Sequence, residues 1–215
     1  MRRVMHAIWM GSPLPADYAA NIEKFAELNP RWEVRLWGEE ECREVLPSAM
    51  RDLFDAAKEI TVKDSVWQFR SDIARLAILY RHGGLYVDTD FDWRKPIDPL
   101  LASPPRSVVT AWEKDNHFVA NGFIYSERPR HTLFRQCFSD LPGRVYQRRG
   151  QRANRITGPS GQWTSICRRR RDVKIIPSMY LLPYGWNELD RAGEPFPEAY
   201  GVHRWGHQQE IRGMR

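Results

Sequence analysis

The sequence predicts a layered α/β domain with a mostly parallel sheet, on three observations. Apolar runs of strand length alternate with segments of helical period. The longest helical segment, residues 64–82, stops at Gly83-Gly84 and leads straight into another strand. That strand opens onto three aspartates, Asp88, Asp90 and Asp92, and in parallel sheets ligands gather at the carboxyl ends of strands.

Each element has its own signal. "RVMHAIW" is apolar enough for a buried strand, and "PADYAANIEKFAEL" carries Tyr18, Ile22 and Phe25 at helical spacing before stopping at Asn29-Pro30. "WEVRLW" alternates apolar and charged residues as a strand does, and two helical stretches follow, at 39–46 and 48–58. In 64–82 the apolar residues Val66, Phe69, Ile73, Leu76 and Tyr80 recur at steps of three and four. "LYVDTDF", "SVVTAW" and "FVANGFIY" read as strands and "RHTLFRQCFSDL" as a helix. Residues 142–157 read as a glycine- and arginine-rich loop, and "VKIIP" and "YGVHRW" as late strands. No repeat or low-complexity linker divides residues 1–215, so a single domain is expected.

Composition supports this and excludes several classes. With 42% hydrophobic and 12% aromatic residues the chain can bury a sizeable core. "VMHAIWM" runs into "GSPLP" rather than a cleavage site, and no apolar run nears the roughly 18 residues of a membrane span. Cys42, Cys137 and Cys167 are odd in number and form no CxxC pair, which argues against a disulfide framework or zinc site and for a reducing, cytoplasmic setting. The net charge of +6 is concentrated. The segment that opens on Arg128 and closes on Lys174 holds 13 basic and 2 acidic residues, while the rest of the chain is net acidic. Such a segment is either a solvated helix face with a loop, or a surface for an anionic partner: a nucleotide, an acidic glycan, a lipid headgroup or nucleic acid.

In extended chain Asp88 and Asp90 share one side, so their charges repel unless they are solvated or bind a hard divalent cation. A calcium EF-hand starting at Asp88 fails, because its glycine and glutamate positions are Trp93 and Pro99. A phosphatase of the haloacid dehalogenase type would use Asp88 as nucleophile with Asp90 beside it. That motif expects Thr or Val where Asp92 stands, and sits near a chain's start; it remains the alternative.

Helix and strand together, "SDIARLAILYRHGGLYVDTD" resembles the signature of retaining glycosyltransferases with an Asp-x-Asp (DXD) sugar-nucleotide motif. This is the glycosyltransferase family 32 type of the initiating mannosyltransferases, similar also to clostridial glucosylating toxins. "HAIWMG", "NPRWEVRLW", "NGFIYS", "TGP" and "YGVHRW" resemble further blocks in the family's order, although the Ser-Trp that commonly follows the late histidine is missing.

The resemblance implies a GT-A type, Rossmann-like mixed sheet in one catalytic domain, with a nucleotide-sugar half at 1–127 and acceptor-side elements at 128–215. It implies metal-dependent, retaining transfer of a hexose or N-acetylhexosamine from a nucleotide sugar, UDP-linked in preference to GDP-linked, to a glycan or other hydroxyl. Attack on the front face would be assisted by the departing diphosphate as base. Asp90 would ligate Mn²⁺ or Mg²⁺ directly, with Asp88 reaching the metal through water or touching the sugar and ribose. His203, or His207 as fallback, would approach the metal or diphosphate. Asp72 and Arg75, three apart on one helix flank, would form an ion pair or else grip donor hydroxyls and diphosphate. Trp9 would stack on the base, with Tyr86 beside the nucleotide, and Asn121, Thr157 and Gly158 would face the acceptor. The arginine-rich segment would steer an anionic acceptor, in a bacterial or phage enzyme of the cytoplasm. A nucleic-acid-binding protein is the remaining alternative, although no helix-turn-helix, zinc-finger or RNA-sheet signature is present.

Overall fold

β1 (Val4–Ile8) is buried at all five positions, as expected of a strand covered on both faces. A computed structural model describes residues 3–102, 108–113 and 116–206. β2 (Glu33–Trp37) lies parallel to β1 from Val4↔Glu33 to Ile8↔Trp37, and β3 (Gly84–Val87) lies parallel on the other side. β6 (Val119–Ser126) then runs antiparallel to both β3 and β5 (Val108–Trp112), and β7 (Val173–Ile176) is parallel to β5. The order β2-β1-β3-β6-β5-β7 makes the sheet mixed.

Helices cover both faces. α1 (Ala16–Leu28) buries Phe25 with Trp32 and Trp93 on one. On the other, α5 (Val66–His82) and α7 (Thr132–Arg148) bury Phe69, Ile73, Phe134 and Leu141 in one cluster. The short helices α2 (Glu39–Val45), α3 (Ser48–Asp55) and α4 (Ala57–Ile60) lead into α5, and α6 (Asp98–Leu101) precedes β5. α8 (Ala153–Ile156) and α9 (Thr164–Arg168) lie between α7 and β7.

The glycine pair after α5 has a steric reason. Gly84 has φ +88°, and a Cβ there would stand 2.5 Å from Val4 O, so only glycine lets β3 close against β1. Among the described residues no helix is long and apolar enough to cross a membrane.

Three expectations differ from the structure. "LYVDTDF" is not one strand: β3 ends at Val87, Asp88, Thr89 and Asp90 form a turn, and β4 (Phe91–Trp93) belongs to a separate two-stranded sheet with β8 (Gly201–His203). The alternating pattern hides the break, because Phe91 and Trp93 are buried in the second sheet as they would have been in the first. α7 also continues through Pro142, where a loop was expected. Leu141 and Val145 extend the buried stripe of Phe134 and Cys137, and that burial outweighs the missing N–H. Finally, the arginine-rich segment is divided. Arg130 N–H reaches Tyr80 O near the end of α5, whereas Arg152 pairs with Asp64 just before its start. A 17-residue helix spans about 25 Å, so the arginines flanking α7 stand at its two ends, with Arg152 and Arg155 beside the Thr157 turn and Arg168 over the Trp112 ring at the end of β5.

Candidate active site

The ladder between β3 and β6 runs one rung past Val87, with Asp88 N–H donating to Gly122 O at 2.8 Å, and the turn follows. The turn is anchored from three sides: Asn21 Nδ2 donates to Thr89 O, Arg204 N–H to Asp90 O and Gly206 N–H to Asp90 Oδ2. Each carboxylate therefore has one oxygen tied down and one left over. Asp88 Oδ1 accepts from the Tyr86 hydroxyl at 2.7 Å and faces Arg75 at 3.1 Å, while its Oδ2 faces His203 Nε2 at 3.6 Å. With Asp90 Oδ2 bonded to Gly206, its Oδ1 lies 3.1 Å from the same nitrogen. The structure thus brings Asp88, Asp90 and His203 together, their ligand atoms all within 4.8 Å of one another. Asp92 is elsewhere, paired with Lys24 at 2.9 Å. His207 lies outside the described residues.

The charges at this corner balance only in part. Burial alone would lower the His203 pKa, yet Asp90 and Asp88 outweigh it and hold the imidazole up to about 10. Burial would raise Asp88, but Arg75 first, then His203 and Tyr86, keep it well below the usual carboxylate range. Two hard oxygens and an imidazole nitrogen turned to one point suit Mn²⁺ or Mg²⁺. The surroundings leave room for the carboxylate: a Cβ on Gly122 would collide with Asp88 Oδ2.

Behind this corner lies a second one. Asp72 Oδ1 accepts from Asn121 Nδ2 at 2.8 Å and faces Arg75 at 3.1 Å, and its Oδ2 accepts from the Thr157 hydroxyl at 2.6 Å. Burial pushes Asp72 up to about 6 against these partners. Arg75, also buried, donates to Ser71 O, Ser71 Oγ and Asn121 O and forms ion pairs with Asp72 and Asp88, with its guanidinium over the Tyr86 ring. Asp72, Arg75, Tyr86, Asn121 and Thr157 are thus one network, and Gly158, packed against Asn154, closes the turn beside it. Trp9 stands apart, half-buried just past β1, with its indole N–H on Ser12 O and its ring edge-on to Tyr18 at 5.3 Å.

Sequence reasoning missed Ser71, Gly122 and Gly206. Ser71 precedes Asp72 directly and is four before Arg75, a helical spacing that points to contact. The glycines carry no local signal, because their role is the space they leave and the backbone they offer.

This sheet, with an acidic turn at the carboxyl end of a central strand, defines the GT-A class of glycosyltransferase fold. The structure of PaToxG glycosyltransferase superposes on it with a TM-score of 0.59 at 18% identity, covering 78% of this chain and 69% of that one. Residues 15–106 match the family described as a glycosyltransferase sugar-binding region containing the DXD motif. Inositol phosphoceramide mannosyltransferase 3 of Schizosaccharomyces pombe is 30% identical over 47% of this chain, but the match spans only 28% of that protein. Lactosylceramide 4-alpha-galactosyltransferase of Pongo pygmaeus is 24% identical over 78% of this chain and 84% of its own length. Residues 15–106 therefore resemble the sugar-binding region of DXD glycosyltransferases, on a fold shared with solved glycosyltransferases.

Proposed function

We propose that the chain transfers a hexose or N-acetylhexosamine from a nucleotide-diphosphate sugar, UDP-linked in preference to GDP-linked, to a hydroxyl of a glycan or other acceptor, with retention at the anomeric carbon. One observation carries the reading: Asp88 Oδ2, Asp90 Oδ1 and His203 Nε2 converge on one point, all within 4.8 Å of one another, where a cation would take the place of the imidazole proton they share. Mn²⁺ or Mg²⁺ held there supplies positive charge for the diphosphate as it departs.

The protein's own part is to fix geometry. Arg75 holds Asp88 with its spare oxygen turned outward, and through Asp72 it ties the turn to Asn121 and Thr157 on the acceptor side. Trp9, half-buried and edge-on to the buried Tyr18, offers aromatic surface for the base. Arg152 and Arg155, the arginines beside the Thr157 turn, are the part of the basic segment placed to draw an anionic acceptor. The whole chain acts as one catalytic domain, and three buried free cysteines suit a reducing, cytoplasmic setting.

Calorimetric titration of UDP and GDP, with and without Mn²⁺, tests this. One nucleotide is expected to bind only with metal, and Asp90→Asn to abolish that binding. Binding that ignores both metal and Asp90 sinks the reading. A product of inverted configuration by NMR would remove retention alone.

A further inference from the structure

The β5–β6 pairing carries an irregularity at the site. A step of two residues on β5, from Thr110 to Trp112, is matched by five on β6, from Ile124 to Val119. The surplus falls on the stretch holding Asn121 and Gly122, which serve Asp72, Arg75 and Asp88. Bulges of this kind re-aim side chains beside active sites. Just past it, the chain turns at Glu113, whose N–H donates to Phe118 O at 2.8 Å and whose C=O accepts from Asn116 N–H.

Only the backbone of Glu113 is engaged. Its side chain is half-buried and has no hydrogen bond or ion pair among the described residues, unlike Asp72, Asp88 and Asp90. It stands at the sheet end that carries Asp88, and His203 is the charge its carboxyl senses. Burial pushes that carboxyl up to about 7, so it can donate a hydrogen bond as well as accept one. The transferase mechanism outlined above gives it no task.

We propose that Glu113 is the acceptor-binding carboxyl of this site, hydrogen-bonding the sugar hydroxyl or water that attacks the donor. The inference rests on the transferase reading. Glu113 is not among the buried side-chain atoms left without a partner, so its carboxyl meets solvent, and an arriving hydroxyl takes the place of that water. A site built to pair with a hydroxyl also discriminates against acceptors that lack it. The sequence shows a glutamate beside Lys114 and Asp115, with nothing to distinguish it from a solvated turn.

The test compares wild type, Glu113→Ala and Glu113→Gln in three measurements: UDP binding with Mn²⁺, thermal unfolding, and turnover of UDP-glucose, UDP-galactose and UDP-N-acetylglucosamine with water, lactose or methyl glycosides as acceptor. Glu113→Ala is expected to bind UDP within about two-fold of wild type, to unfold at the same or a higher temperature, and to lose about ten-fold or more in turnover. Glu113→Gln, which keeps a hydrogen-bonding group, is expected to retain more. Turnover within two-fold of wild type overturns the proposal, as does a loss of UDP binding in parallel with turnover. A wild type that binds no nucleotide, or binds it and consumes none of these sugars, defeats the transferase reading itself.

Discussion

Asp72 and Asp88 both lean on Arg75, each at 3.1 Å, yet their remaining oxygens meet different fates. Those of Asp72 are taken by Asn121 and Thr157 in a fully buried corner. Asp88 keeps Oδ2 and Asp90 keeps Oδ1, both turned to His203. A saturated carboxylate is scaffold, and one with an oxygen to spare is a ligand in waiting.

The sharpest way to break this comparison is at the arginine. Arg75→Met leaves the buried Asp72 without its counter-charge and the half-buried Asp88 with His203 alone, and a loss of about 3–5 kcal/mol in unfolding free energy is expected. Asp90→Asn should cost little stability while losing nucleotide. Chemical denaturation of both variants decides, and a mild effect of Arg75→Met would dissolve the distinction.

Two of the buried histidines, His6 and His203, sharpen it through pH. Trp37 Nε1 donates to His6 Nδ1, and His6 Nε2 lies 3.1 Å from Gly83 O. Burial lowers its pKa to about 4, so the unfolded chain takes up a proton that the folded one refuses. Its contribution is fully present above pH 6.5 and is lost as pH falls towards 4, up to roughly 3 kcal/mol. His203 behaves oppositely: its folded pKa is raised, so its contribution is present below pH 6.5 and lost as pH climbs towards 10. In urea titrations the stability gap between wild type and His6→Gln should narrow between pH 7 and pH 5. A constant gap would mean that His6 titrates alike in the folded and unfolded chain, and a widening one that the fold favours its charged form.

Gly122→Ala probes the ligand corner by sterics, since its Cβ would press Asp88 Oδ2 away from His203. Mn²⁺ affinity should fall about 10- to 100-fold with the fold intact, as calorimetry would show. Thr157→Val is the mildest test, on the scaffold side. Leaving Asp72 Oδ2 unpaired should cost about 1–3 kcal/mol, visible in the thermal midpoint, with metal affinity unchanged.

Much of this was legible in the residues. The stripe from Val66 to Tyr80, the glycine pair and the aspartates located the central helix, strand and turn, because periodicity and glycine act locally. The break at Val87 was not legible, since Phe91 and Trp93 keep their alternation while changing sheets. Pro142 misled because a breaker is read locally, whereas the burial of Leu141 and Val145 that overrides it is tertiary. Two of the partners of Arg75, Asn121 and Asp88, come within reach only when the sheet closes. The arginine segment looked like one feature because sequence has no ends of a helix to separate its halves.

The ligand corner draws on a turn near the middle of the chain and on β8, more than a hundred residues later. Closing so long a loop is a late event in folding, as non-local contacts are slow to be rewarded. A nascent chain that has emerged as far as Trp93 holds both aspartates and no binding site. Metal affinity in this protein is therefore a property acquired only on completion, and its appearance during refolding would time the docking of β8 against β4.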